Sequence, residues 1–128
     1  MRAVRAAGRF GEPEMKAFVA TARQAAAHLR DALDSVAAAD VRVALTHYAP
    51  VVDTLLGERP EIHPFLGSYF LGQAIDGAGA DLAVHGHAHR GREHGRTPGG
   101  VEVRNVAMPV IRAAYRVYRV TAGQLATR

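Results

Sequence analysis

The sequence predicts an α/β fold in which helices cover a mixed sheet. Three observations carry that expectation. Apolar residues recur at three- and four-residue steps through residues 13–39. Two short β-branched runs, 41–46 and 81–84, each lead into a histidine-bearing loop. A Thr97-Pro98-Gly99-Gly100 turn introduces further strand-like stretches. Helix, strand, helix, strand and a closing strand pair is the order of a layered α/β arrangement.

Each element has its own local reason. Pro13 suits a first helical turn. Met15, Phe18, Ala22, Leu29, Leu33 and Val36 then form one apolar stripe, with Arg23, Arg30, Asp31, Asp34 and His28 off it. A helix is therefore predicted over Pro13–Ala39, in an N-terminal helical segment of residues 1–40. Val41–Thr46 reads as a buried strand that ends in the loop His47–Pro50. A loop containing Gly57, Pro60 and Pro64 follows. Ser68 can cap a helix over Tyr69–Ala78, which Gly77 and Gly79 help to end. Asp81–Val84 reads as a second strand, running into His85-Gly86-His87-Ala88-His89. Val101–Val106 and Ala114–Val120 read as the last two strands.

Composition narrows the class. The chain of 128 residues fits one small domain, with 48% hydrophobic and 22% charged residues. No cysteine is present, which excludes a disulfide scaffold and thiolate metal ligands. No apolar run reaches membrane-spanning length, so no membrane partner is expected. The basic start, MRAVRAAGRFGEPE, lacks the apolar region of a secretory signal, and a cytoplasmic location is expected. The net charge of +4 admits a nucleic-acid partner. The arginines are scattered and not interleaved with aromatics, so that partner is not favoured.

The chemistry lies in the histidines. Of seven, three fall within His85–His89, and His47 follows a different strand. Imidazole suits zinc, manganese and iron. Two histidines one residue apart reach one ion or two adjacent ions if the chain turns sharply between them, and Gly86 permits such a turn. Both histidine loops follow strand carboxyl ends, where open α/β sheets gather their ligand sites. His63 is a candidate substrate-binding residue and His85 a support for the ligands beside it. Asp53, Glu58, Glu61, Asp76, Asp81 and Glu93 are the nearby carboxylates, and none has ligand spacing.

Val84-His85-Gly86-His87-Ala88-His89 resembles the Gly-His-x-His block of calcineurin-like metallophosphoesterases. Leu45-Thr46-His47-Tyr48-Ala49-Pro50 resembles the isolated histidine block that precedes it. The resemblance runs from about Val41 to Val120, through the tail Val103-Arg104-Asn105-Val106. It implies that residues 41–128 are the C-terminal half of an α/β/β/α sandwich. It further implies that His47 and His87 bind one divalent ion and His89 another, the pair being manganese, iron or zinc. In that family the metals activate water for attack on a phosphate ester.

The family's Asp-x-His, Gly-Asp-x-x-Asp and Gly-Asn-His-Asp/Glu motifs do not occur ahead of His47, where the long helix stands instead. The expectation is thus an incomplete hydrolase whose missing half comes from a lost N-terminal segment or a partner chain. This chain alone is expected to be inactive. The alternative is a non-catalytic metal-binding or interaction domain derived from the same fold. A cupin reading, from His87-x-His89 with Glu93 and Gly100, conflicts with the two predicted helices.

Overall fold

In the computed structural model the described residues are 11–121; the basic start of the chain and residues 122–128 lie outside them. Helix α1 spans Glu12–Ser35, with Pro13 in its first turn and Glu12 and Glu14 facing the positive end of the helix dipole. It stops short of the predicted Ala39. The Ser35 hydroxyl donates to the Ala32 carbonyl, and Val36 N–H turns back to the Leu33 carbonyl, which closes the last turn. No described helix is long and apolar enough to cross a membrane.

Strand β1, Val43–Thr46, is followed by two short 3-10 turns, Asp53–Leu55 and Pro60–Ile62, and the one-turn helix α2, His63–Leu66. Helix α3 occupies the predicted span Tyr69–Ala78. The Ser68 hydroxyl accepts from Phe70 N–H at its start, and Gly79 N–H bonds the Ile75 carbonyl at its end. Strand β2 is Leu82–His85, β3 is His94–Arg96, β4 is Glu102–Asn105, and α4 is Met108–Ile111.

The sheet has the order β1-β2-β4-β3, with β1, β2 and β4 parallel and β3 antiparallel at the edge. Register places Thr46 opposite His85 and His85 opposite Asn105, so the three parallel strands end level. One face carries Ala44, Ala83 and Val103. These pack with Leu33 of α1 and Ile75 of α3 into the main core, in which Ile75 and Val103 are fully buried. At the opposite end Arg42 N–H bonds the Asp81 carboxylate and its guanidinium donates to the Ala78 carbonyl, tying the strand starts to the end of α3.

Among the described residues the helices pack on the face that carries Ala44, Ala83 and Val103. On the other face Leu45 of β1 is 76% exposed and Val43 48%, so the strand expected to be buried within 41–46 is buried on one side only. Residues 114–120 form no strand. β4 already has β2 and β3 on its two sides, so no ladder position beside it is open to them. The segment instead crosses the second face on side-chain contacts. Tyr118 donates to Glu93 at 2.7 Å, and the Arg104 guanidinium lies over the Tyr118 ring. His94, at the start of β3, pairs with Arg104 of β4.

Candidate metal centre

Two loops leave neighbouring parallel strands at the same end of the sheet, and each carries a histidine outward. After β1 the Thr46 hydroxyl donates to the Tyr48 carbonyl at 2.8 Å, fixing the turn that holds His47. Ala49 then bonds the end of α2 on both sides, through Ala49 N–H to the Leu66 carbonyl and Ser68 N–H to the Ala49 carbonyl, each at 2.9 Å. The His47 loop is therefore pinned on both of its flanks.

After β2 the chain makes a three-residue turn. Ala88 N–H bonds the Gly86 carbonyl at 2.8 Å across His87, whose φ is +68°. An i to i+2 bond around a positive φ is the rare, strained form of the γ-turn. The left-handed residue is thus His87 itself and not Gly86, which corrects the expectation that glycine makes the bend. Such a conformation costs about 1 kcal/mol or more in a non-glycine residue. It persists because the rest of the loop is held. Asn105 donates to the Ala88 carbonyl, Glu58 accepts from Arg90 N–H, and Arg92 N–H bonds the Thr54 carbonyl.

The turn brings the His87 ring to His47, with centroids 4.5 Å apart and planes inclined by 36°. Tyr48 stands edge-on to both rings, at 5.1 and 5.2 Å. His87 Nε2 lies 3.2 Å from the Phe65 carbonyl, which only accepts, so Nε2 is the donor and Nδ1 is the nitrogen left for a ligand. An imidazole set in one tautomer by a backbone carbonyl is the arrangement found on metal-bound histidines.

His85 has a different task. It is buried, with Nδ1 2.8 Å from the Gly86 carbonyl and Nε2 2.7 Å from the Thr54 hydroxyl. The carbonyl fixes Nδ1 as the donor, so Thr54 donates to Nε2 and neither nitrogen is left for a ligand. Burial holds its pKa below the ordinary value, opposed by the Gly86 bond and helped by nearby His87. His85 therefore stays neutral and anchors the root of the histidine loop. His63 opens α2, donates from Nε2 to the Glu58 carbonyl at 3.3 Å, and lines a cleft beside α1.

His89 sits exposed in the turn at residues 89–90. Among the described residues no three His, Asp or Glu side chains group so as to hold a metal ion. The structure thus unites His47 and His87 but does not add His89 to them. The carboxylates are engaged elsewhere. Asp76 caps the hairpin turn through Thr97 and Gly99, Asp53 accepts from Arg96 N–H, Glu58 from Arg90 N–H, and Asp81 from Arg42 N–H. Glu61 pairs with Arg59 on the surface, and Glu93 with Tyr118 and Arg116. A two-imidazole donor pair fits one ion in part, whereas the described residues do not assemble the donor set of a two-metal centre.

Tyr48, Thr54, Phe65 and Asn105 were not singled out by the sequence reading as site residues. Only Tyr48, beside His47, and Asn105, in the Val103–Val106 tail, stood in stretches that carried a signal. No protein-family model, no curated protein and no solved structure matches the chain.

Proposed function

We propose that this chain supplies the histidine half of a metal-dependent phosphoesterase centre. In this reading His47 and His87 hold one divalent ion, manganese, iron or zinc, and His89 reaches a second. The remaining ligands come from outside the described residues, on a further segment or a partner chain. The observation that carries the reading is His87, held in a strained γ-turn that sets its ring against His47 from a separate strand. Strain kept in place by surrounding bonds is characteristic of functional positions. The exposed apolar face at Val43 and Leu45 is what a half of an α/β/β/α sandwich would present to its second sheet.

His47 and His87 would hold the ion, which would supply Lewis-acid chemistry toward a phosphate ester. The chain's own residues orient and support. Phe65 sets the His87 tautomer, Tyr48 packs the edges of both rings, and neutral His85 with Thr54 and Asn105 keeps the loop in place.

The test is a metal titration paired with an assay on an aryl phosphodiester. The full chain is expected to bind zinc or manganese, to lose most of that affinity in His87→Ala, and to hydrolyse little by itself. Robust turnover by the wild-type chain that vanishes in His87→Ala would sink the claim that outside ligands are needed. A second reading, a non-catalytic metal-binding domain, is favoured by the lack of a three-ligand group among the described residues. One tightly held ion with no hydrolysis in the presence of any added partner would select it.

A further inference from the structure

We propose that the cleft between α1 and residues 60–70 binds the aromatic group of an aryl phosphate ester, with the phosphate directed to the His47–His87 pair. The arene part stands on the cleft alone; the phosphate part rests on the function proposed above.

Two adjoining hollows, of about 430 and about 320 Å³, share a floor of Ala22, Gly67 and Ser68 and a wall of Phe18 and Pro64. Each is within the size of ordinary small-molecule sites, which are concave, mostly apolar and furnished with few polar groups. The floor is made of small residues, and Gly67 is fixed as such: a Cβ there would lie 2.5 Å from the Ala49 carbonyl oxygen. The walls are rings. Phe18 and Phe65 meet edge to face at 5.5 Å, and both are about half exposed. Tyr69 also borders the cleft and is 66% exposed. Large apolar side chains left open around one concavity mark a binding surface, and flat walls favour a flat guest.

Few polar side chains line the hollows, and two of them are already committed. Ser68 accepts from Phe70 N–H and His63 bonds the Glu58 carbonyl. A nucleobase would find few partners for its edge, whereas a hydrocarbon arene needs none. Direction comes from two residues that belong to both places. Tyr48 and Phe65 line the smaller hollow, while the Tyr48 ring and the Phe65 carbonyl contact His87. A ligand seated in the smaller hollow, against the Phe18–Phe65 pair, therefore lies next to the two residues that contact His87.

The experiment uses the full chain and fluorescence titration with 1-naphthol and 1-naphthyl phosphate, first after chelator treatment and then with zinc. Metal-free protein is expected to bind 1-naphthol, and Ala22→Trp, which places an indole on the lining shared by both hollows, to weaken it by about tenfold or more. Ala25→Phe, on an exposed helical position lining only the smaller hollow, is expected to weaken it less. His87→Ala is expected to leave 1-naphthol unchanged. Zinc is expected to tighten 1-naphthyl phosphate alone, through His87.

If both cleft variants keep their circular dichroism and bind 1-naphthol like wild type, the cleft assignment is overturned, whatever the metal does. If the cleft variants behave as expected but zinc changes nothing, the arene site stands and the metal-directed function falls. If 1-naphthol binding weakens as chain concentration rises, the cleft belongs to a second copy and the inference is overturned.

Discussion

Asn105, the last residue of β4, donates its side-chain N–H to the Ala88 carbonyl at 2.8 Å and accepts from Ala107 N–H at 3.1 Å. It is fully buried and is the cross-brace between the end of the sheet and the histidine loop. Asn105→Ala leaves a buried carbonyl and a buried N–H unpaired, each costing about 1–3 kcal/mol. A loss of about 2–4 kcal/mol is expected in urea unfolding. Asn105→Asp should be no better, since an oxygen replaces the donor facing Ala88. Stabilities within about 0.5 kcal/mol of wild type for both would contradict the brace.

Gly57 has φ +111°, and a Cβ there would stand 2.3 Å from the Arg90 carbonyl oxygen in the histidine loop. Gly100 has φ +95° with open space around it. Both lose stability on conversion to alanine, by about 1 kcal/mol for the backbone conformation alone. Gly57→Ala should cost a further 1 kcal/mol, approximately, because backbone must move to relieve the contact. Thermal melts of the two variants measure the difference; equal losses would show that the 57–90 contact is slack.

Tyr118 and Glu93 give the fold a readable pH dependence. The Tyr118 hydrogen bond holds the Glu93 carboxyl below its ordinary 4.5, with Arg116 assisting. Burial and the same bond push Tyr118 up to about 12. A depressed carboxylate stabilises the fold above 4.5 and loses that contribution as pH falls through its folded value. A raised phenol stabilises below 10 and loses its contribution as pH climbs toward 12. Tyr118→Phe should therefore cost about 1 kcal/mol at neutral pH. The gap should narrow in acid below 4.5 and in base above 10. A gap independent of pH across both windows would place the strap's hold elsewhere, as on Arg104.

The two faces of β1 should answer substitution in opposite ways. Leu45, 76% exposed, is expected to accept lysine within about 0.5 kcal/mol and with less self-association in sedimentation. Ala44, 1% exposed against the core, is expected to lose about 1–3 kcal/mol on conversion to leucine. A large loss in Leu45→Lys would mean that this face is covered in solution.

Elements with a periodic pattern or a cap were legible before any coordinates. The Ser68 cap of α3 falls where the pattern put it, and the helix predicted over 13–39 and the strands predicted over 41–46 and 81–84 are found at Glu12–Ser35, Val43–Thr46 and Leu82–His85. Of the α1 stripe Leu33 is buried, while Met15 and Phe18 are exposed. β3 was not legible, because His94-Gly95-Arg96 has no apolar alternation. It is held by its pairing to β4 and by the Asp53 carboxylate on Arg96 N–H. Residues 114–120 misled because alternation reports a two-faced extended chain, while a strand also needs a ladder partner, and both sides of β4, the expected partner, are taken. In the site, the meeting of His47 and His87 followed from two strand ends lying level. The strained turn at His87 did not, since no residue type announces it. Thr54 and Phe65 act through long-range contacts that leave no local mark.

The central claim is that His47 and His87 form one metal-binding pair. Titrating the full chain with zinc while following the histidine ring resonances by NMR tests it most directly. The account predicts that His47 and His87 shift together at the lowest zinc concentrations, ahead of exposed His28 and His94, and that His87→Ala abolishes the His47 response. If all exposed histidines respond alike, or His47 responds unchanged in His87→Ala, the pair is not a metal site.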